Sequence, residues 1–160
     1  MSLKSVLTKT AIYCAIAAVI LSLEFGLARS EAQKTYLGSD ACRSCHELEY
    51  SRFKAHAKKA HSYEHIVVMK KGLTDSEFRG CLECHTTGYG KPGGFSSEKE
   101  TPHLKEAGCE VCHGPGSRHV ESSDPKDIKG KLTVKDCEIC HNSERVEAFN
   151  YKPLIYGGAH

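Results

Sequence analysis

The chain has no tryptophan, and tyrosine and phenylalanine together make up only 8% of its 160 residues. A short chain already leaves a large share of its surface in water, so such sparse aromatics exclude a core built mainly from large side chains. Nor is there an apolar run long enough to cross a bilayer comfortably. The longest, Ala11 to Leu23, falls short of the about 20 residues required. Basic residues never gather into a tract, and beyond residue 32 cationic and anionic side chains are nearly balanced, which argues against a nucleic-acid partner. Glycine and proline are missing from Cys42 to Lys71, so nothing there obliges the chain to leave a helix.

What the chain does have is Cys-x-x-Cys-His, four times: Cys42/Cys45/His46, Cys81/Cys84/His85, Cys109/Cys112/His113 and Cys137/Cys140/His141. Each is the attachment signature of a c-type haem. Two thiols add across the vinyl groups of one porphyrin, and the next histidine becomes the proximal ligand of the iron. A zinc site uses paired Cys-x-x-Cys units but has no need of a histidine after every second cysteine. A disulfide framework does not demand one either. Four covalently bound haem c groups are therefore expected. With about 32 residues for each, the haems should pack together and form the core themselves.

The ninth cysteine, Cys14, lies in a leader. Lys4 and Lys9 form a basic start, Ala11 to Leu23 the apolar run, and Ser30-Glu31-Ala32 the small residues of a cleavage site. Residues 1–32 thus read as a cleaved signal peptide that takes Cys14 with it, leaving 33–160 as a single tetrahaem domain beginning at Gln33 with no stable membrane span. Export to the periplasm, the cell surface or beyond suits thiols reserved for haem, which must be handled outside the reducing cytosol.

The motifs start at intervals of 39, 28 and 28 residues, and the sequence between them does not repeat. Ser39-Asp40 as caps and Gly72 as a stop predict one or two consecutive helices after the first motif. Thr74 opens a second helix that carries the second motif. Residues 86–100 are glycine-rich and read as loop, and Thr101-Pro102 opens a short helix running to about Gly108. Gly114-Pro115-Gly116 turns the chain into a short helix with His119, and Thr133 with Asp136 caps the last motif helix. The tail from Phe149 to His160 is expected to be mostly extended. The fold class is mostly α with long loops and little or no β-sheet.

Six further histidines, His56, His61, His65, His103, His119 and His160, are candidates for the second axial position of the four irons. On a regular helix His61 and His65 share a face, while His56 points about 140° away from His61. His56 can then serve one haem and the pair another. Met69 is expected to be packing, since imidazoles suffice. Lys58-Lys59 and Lys70-Lys71 read as solvated helix faces, or else as docking points for an acidic redox partner.

Two segments carry a resemblance. Cys81-Leu82-Glu83-Cys84-His85-Thr86-Thr87-Gly88-Tyr89-Gly90-Lys91-Pro92-Gly93-Gly94-Phe95 and Gly108-Cys109-Glu110-Val111-Cys112-His113-Gly114-Pro115-Gly116-Ser117 are similar to the cytochrome c five-five-four family, the tetrahaem acceptors of electrons from hydroxylamine oxidoreductase in nitrifying bacteria. The likeness runs from about Tyr36 to His141 and includes the helix Cys42 to Ala60. It implies a mostly helical fold with haems in stacked and perpendicular pairs. It also implies that His119 is the distal ligand of the first haem, that His61 or His56 reaches the third, and that the second haem, at His85, can be five-coordinate. Two features depart from the family. No histidine stands just before the fourth motif, and the cluster at 56–65 is richer, so the fourth haem is expected to draw its ligand from that cluster.

The reading that follows is an exported carrier of single electrons between redox protein donors and acceptors, with mainly bis-histidine haems and no enzymatic role. Two rival readings exist. A five-coordinate haem at His85 would make a small nitrogen-oxide reductase. His160 ligating a haem of the next subunit would make a homo-oligomer or conducting extracellular filament.

Overall fold

A computed structural model describes residues 33–142. The leader, Cys14, the tail and His160 lie outside the described residues.

After a single 3-10 turn, Ser39–Cys42, the first helix runs from Glu47–His56 (α1). Glu47 and Glu49 sit in its first turn and Lys54 and His56 in its last, each sign matched to its end of the helix dipole. Only Phe53 of α1 is buried. The helix stops at Ala57, whose backbone turns extended (φ −83°, ψ 115°). A 3-10 turn, Lys58–His61, then leads into Ser62–Val67 (α2). The predicted one or two helices are thus two, broken without glycine or proline. Ala57 and Ala60 are small enough for the bend to fold against Phe53, and the three form a buried cluster. Because of this break, a 3.6-residue period cannot relate His56 to His61, and the angle expected between them does not apply.

The helix Asp75–His85 (α3) begins as predicted. The Thr74 N–H donates to the Glu77 carboxylate (2.8 Å), and the Glu77 N–H donates to the Thr74 hydroxyl (3.3 Å). This reciprocal cap satisfies two of the donors a helix start leaves open. Phe78 and Leu82, four residues apart, bury one face of α3 against Tyr63 and Ile66 of α2, with Phe95 and Leu104 completing the cluster. The Tyr63 ring meets Phe78 edge-on at 6.4 Å and Phe95 at 5.6 Å. Each such burial is worth about 1.5–3 kcal/mol. A side-chain core therefore exists, contrary to the expectation that porphyrins alone would provide one. It is local to the second motif and draws on residues from 63 to 104, a gathering that no local pattern announces.

The glycine-rich segment is loop, as predicted, but closed on itself. The Thr87 N–H donates to the Leu104 carbonyl and the Phe95 N–H to the Thr87 carbonyl, both at 2.9 Å. A side chain at Gly94 would collide with the Gly88 carbonyl, so this crossing requires glycine. The helix opened by Pro102 ends as a 3-10 turn at Leu104, short of Gly108. The Gly108 N–H is drawn instead to the Glu106 carbonyl (2.8 Å) and the Thr87 hydroxyl (2.9 Å). Three short helices follow: Cys109–His113 (α4), Ser117–Ser122 (α5) and Val134–Glu138 (α6). At the start of α6 the Asp136 carboxylate accepts from the Thr133 N–H (2.8 Å) and hydroxyl (2.9 Å). Among the described residues there is no strand.

Candidate haem sites

Each motif is one turn of helix. His46 and His141 donate their backbone N–H groups to the carbonyls of Cys42 and Cys137, both at 2.9 Å, and the second and third motifs lie inside α3 and α4. One turn places the cysteines three residues apart on one side, with the histidine next to them. None of the eight motif thiols is in a disulfide. Among the described residues no three Cys, His, Asp or Glu side chains converge as a metal-ion centre would require. Thiols outside any disulfide and beside a histidine fit thioether attachment.

The thiols differ in their exposure. Seven are half-buried, whereas Cys45 is exposed. Its sulfur lies 3.9 Å from the hydroxyl of Ser44, its own neighbour in the chain. The reason is local. Cys45 sits in the link between the first 3-10 turn and α1, within a run from Arg43 to Glu49 that is exposed throughout, while Cys42 at the start of the motif turns towards Cys109. The first motif thus presents one sheltered thiol and one open to solvent.

The histidines are oriented by backbone carbonyls. His85 Nδ1 lies 3.0 Å from the Ser62 carbonyl, His113 Nδ1 2.7 Å from that of Lys129, and His119 Nδ1 2.9 Å from that of Asp124. A carbonyl can only accept, so Nδ1 carries the proton in each ring. With Nδ1 so engaged, Nε2 is the nitrogen each ring would turn towards a metal. Burial, with Lys59 nearby, lowers the pKa of His141 and so also favours its neutral ring.

The His46 and His119 rings stand with their centres 6.3 Å apart, tilted by 30°. An imidazole nitrogen binds a metal at about 2 Å, and the ring centre lies about 1 Å further, so two rings facing each other across one metal have centres about 6 Å apart. The chain thus brings together, from distant parts of the sequence, the two rings that the family resemblance pairs on the first iron.

The remaining candidates are spread more widely. His56 ends α1, His61 precedes α2 and lies 3.4 Å from the Glu64 carboxylate, and His65 lies on α2. All three are exposed. His103 is exposed in the Pro102 turn, where its backbone carbonyl packs against Gly38. Met69 is half exposed rather than packed. Of the lysine pairs, Lys58, Lys70 and Lys71 are solvated, as the sequence suggests, although Lys70 also lies 5.2 Å over the Phe78 ring.

The motifs approach one another out of sequence order. The Cys42 and Cys109 thiols lie close enough to interact, which pushes the Cys42 thiol up and pulls that of Cys109 down. Cys112 is raised by burial and feels the charges of Lys59 and Cys137. The first motif therefore touches the third, and the third lies near the fourth. Sequence reasoning missed the groups that hold this arrangement. Buried Ser62 donates to the His85 carbonyl (2.8 Å) and accepts from the Ala107 N–H (2.8 Å). Glu110, between the third pair of cysteines, is buried on backbone N–H groups. A serine in a helix and a glutamate at a variable motif position give no signal of either role.

Comparison with known proteins agrees with this geometry. The family described as cytochrome c554 and c-prime matches residues 41–114, which hold the first three motifs. Cytochrome c-554 of Nitrosomonas europaea is 31% identical over 165 residues, covering 90% of this chain and 70% of that protein. The multihaem cytochrome MtrC of Shewanella baltica is 23% identical over 162 residues, covering 84% of this chain but 25% of its own length. The solved structure of reduced cytochrome c554 from Nitrosomonas europaea shares the fold, with a TM-score of 0.50 and 24% identity over 69% of this chain and 66% of that one. The Cys-x-x-Cys-His turns, free of disulfides, have their explanation in this kinship: the chain belongs to the cytochrome c554 family, and it is a mostly helical c-type cytochrome that carries electrons on four covalently bound haems.

Proposed function

We propose that this protein is an exported carrier of single electrons between redox protein partners, with mainly bis-histidine irons. Residues 1–32 act as a cleaved leader and 33–160 as one tetrahaem domain in the periplasm or at the cell surface. Cys42/Cys45, Cys81/Cys84, Cys109/Cys112 and Cys137/Cys140 hold the haems, with His46, His85, His113 and His141 as proximal ligands. The exposed Cys45 thiol would be accessible to a porphyrin vinyl group. Haem iron supplies a reversible one-electron couple whose potential is set by its axial ligands and surroundings. The chain's part is to fix ligand geometry and to bring the sites close together. The observation that carries this reading is the 6.3 Å spacing of His46 and His119. It supports His119 as the distal ligand of the first haem, with His56, His61 and His65 supplying the third and fourth.

The test is an intact mass together with His119→Ala. The mass should show loss of the leader and four haem additions. The variant should keep all four haems, because thioether bonds do not depend on the distal ring, while one haem changes from low-spin to high-spin. A variant spectrum identical to wild type removes His119 from the ligand set. High-spin iron at His85 in the wild type, with rapid nitric oxide binding, would replace the carrier reading with an enzymatic one. High-spin iron produced by dilution or by removing His160 would favour assembly through the tail.

A further inference from the structure

Glu110 is the one buried charged side chain among the described residues, 3% exposed. One of its oxygens accepts from the Gly116 N–H at 2.7 Å and the other from the Gly38 N–H at 2.7 Å, while the Leu37 N–H is shared between the two at 3.1 and 3.0 Å. Every partner is a backbone donor, so both oxygens accept. No lysine or arginine pairs with it among the described residues. An uncompensated charge in the interior is costly, and proteins rarely keep one without return.

Its location indicates what it serves. Leu37 and Gly38 lead directly into the first motif turn, and Gly116 opens the helix that presents His119. Glu110 itself follows Cys109, whose sulfur meets that of Cys42 and whose N–H donates to the Ser39 hydroxyl at 3.1 Å. One carboxylate therefore ties together the third motif, the approach to the first motif, and the approach to the ring facing His46. The neighbouring contacts between Thr35 and Ser117 (2.9 and 3.2 Å) extend the same seam.

We infer that Glu110 is a positioning and potential-setting residue, a buried anion that holds the first and third haems in place and lowers their reduction potentials relative to the other two. This rests on the attachment and ligation proposed above. The sign follows from charge. Oxidised iron carries one more positive charge than reduced iron, so a fixed anion nearby stabilises the oxidised form, and low local polarity preserves the effect. Glutamine at this position removes the charge and can accept at only one of the two seams.

The experiment uses the haem-loaded protein. Glu110→Gln is first checked by intact mass for four haems and then titrated electrochemically, with spin-resonance spectra recorded at each potential. His119→Ala identifies the signal of the first haem. Two of the four haems should become about tenfold easier to reduce at fixed potential, equivalent to about 59 mV for a one-electron couple, while the other two stay in place. Unmoved potentials, or all four moving together, overturn the inference, even if the variant melts earlier. Should Glu110→Gln not accumulate, wild type labelled with 13C-glutamate decides by infrared difference spectroscopy. A buried carboxylate band should shift as the first and third haems are reduced, and a silent band overturns the inference. Fewer than four haems in wild type, or an unchanged His119→Ala spectrum, would instead defeat the attachment and ligation assignments, independently of Glu110.

Discussion

The second and fourth motifs share one signature but occupy opposite surroundings. Around Cys81–His85 the chain builds a core of six buried residues, and the Ser62 and Thr87 hydroxyls fasten the flanking segment by accepting buried hydrogen bonds from the Ala107 and Gly108 N–H groups. Beyond Gly116, up to Asn142, no described residue is buried, and Ile139, inside the fourth motif, is 70% exposed. Caps and surface ion pairs hold that stretch, including Arg118 with Asp127 (2.8 Å) and Lys129 with Asp136. Exposed pairs of this kind are worth about 0–1 kcal/mol each. The lesson is that attachment chemistry needs only one helical turn, and the rest of a site can be supplied either by side chains or by the cofactors themselves.

The largest effect should come from breaking the better-built side. Phe78→Ala removes the ring that packs on Tyr63 and should cost about 3–5 kcal/mol, read as a lowered denaturation midpoint of the haem-loaded protein. A change below about 1 kcal/mol would mean that the porphyrins, not this cluster, carry the stability there. The complementary experiment removes the fourth attachment with Cys137→Ala and Cys140→Ala. Amide exchange should rise sharply between residues 117 and 142, while α3 keeps its protection. Equal loosening of both regions would erase the distinction.

That contrast also explains what was legible in the sequence. The four attachment sites stood out because covalent chemistry fixes their spacing, and the caps at Thr74 and Thr133 because capping is a three-residue affair. His119 could be singled out from the Gly-Pro-Gly turn and the family likeness. Spacing says nothing of shelter, however, so the exposure of Cys45 beside half-buried Cys42 was not legible. Hidden from any local pattern were the bend at Ala57, made by packing of small residues against Phe53, and the core spanning residues 63 to 104. Glu110 was hidden more deeply, since its role depends on Leu37, Gly38 and Gly116 arriving from elsewhere in the chain.

The two helix caps give a finer version of the same comparison. Thr74→Ala removes the hydroxyl that receives the Glu77 N–H and should cost about 1 kcal/mol, measured by the same denaturation. Because α3 is anchored by Phe78 and Leu82, its helix should persist and only its first turn should fray. A loss near the Phe78→Ala value would show that capping, rather than burial, organises this half.

The smallest effect is the pH response of the other cap. Lys129, followed by the Thr133 N–H and hydroxyl, holds the Asp136 carboxyl down to about 2. An aspartate in the unfolded chain titrates near 3.9. The folded form therefore binds its proton less readily, so the cap's contribution is fully present above about pH 4 and lost as pH falls through about 2. Asp136→Asn should thus lower the stability of the fourth-motif region at pH 7 and make no difference below pH 2. Added salt should narrow the gap at pH 7, because part of it comes from an exposed Lys129 charge. Glu77, whose lowering comes from the Thr74 N–H and hydroxyl alone, should show little salt response. Amide exchange at residues 134–138 and 75–79, followed from pH 7 to pH 2 with and without salt, reads both caps in one protein. Matching salt responses would mean that Lys129 contributes nothing and that the fourth motif is capped in the same way as the second.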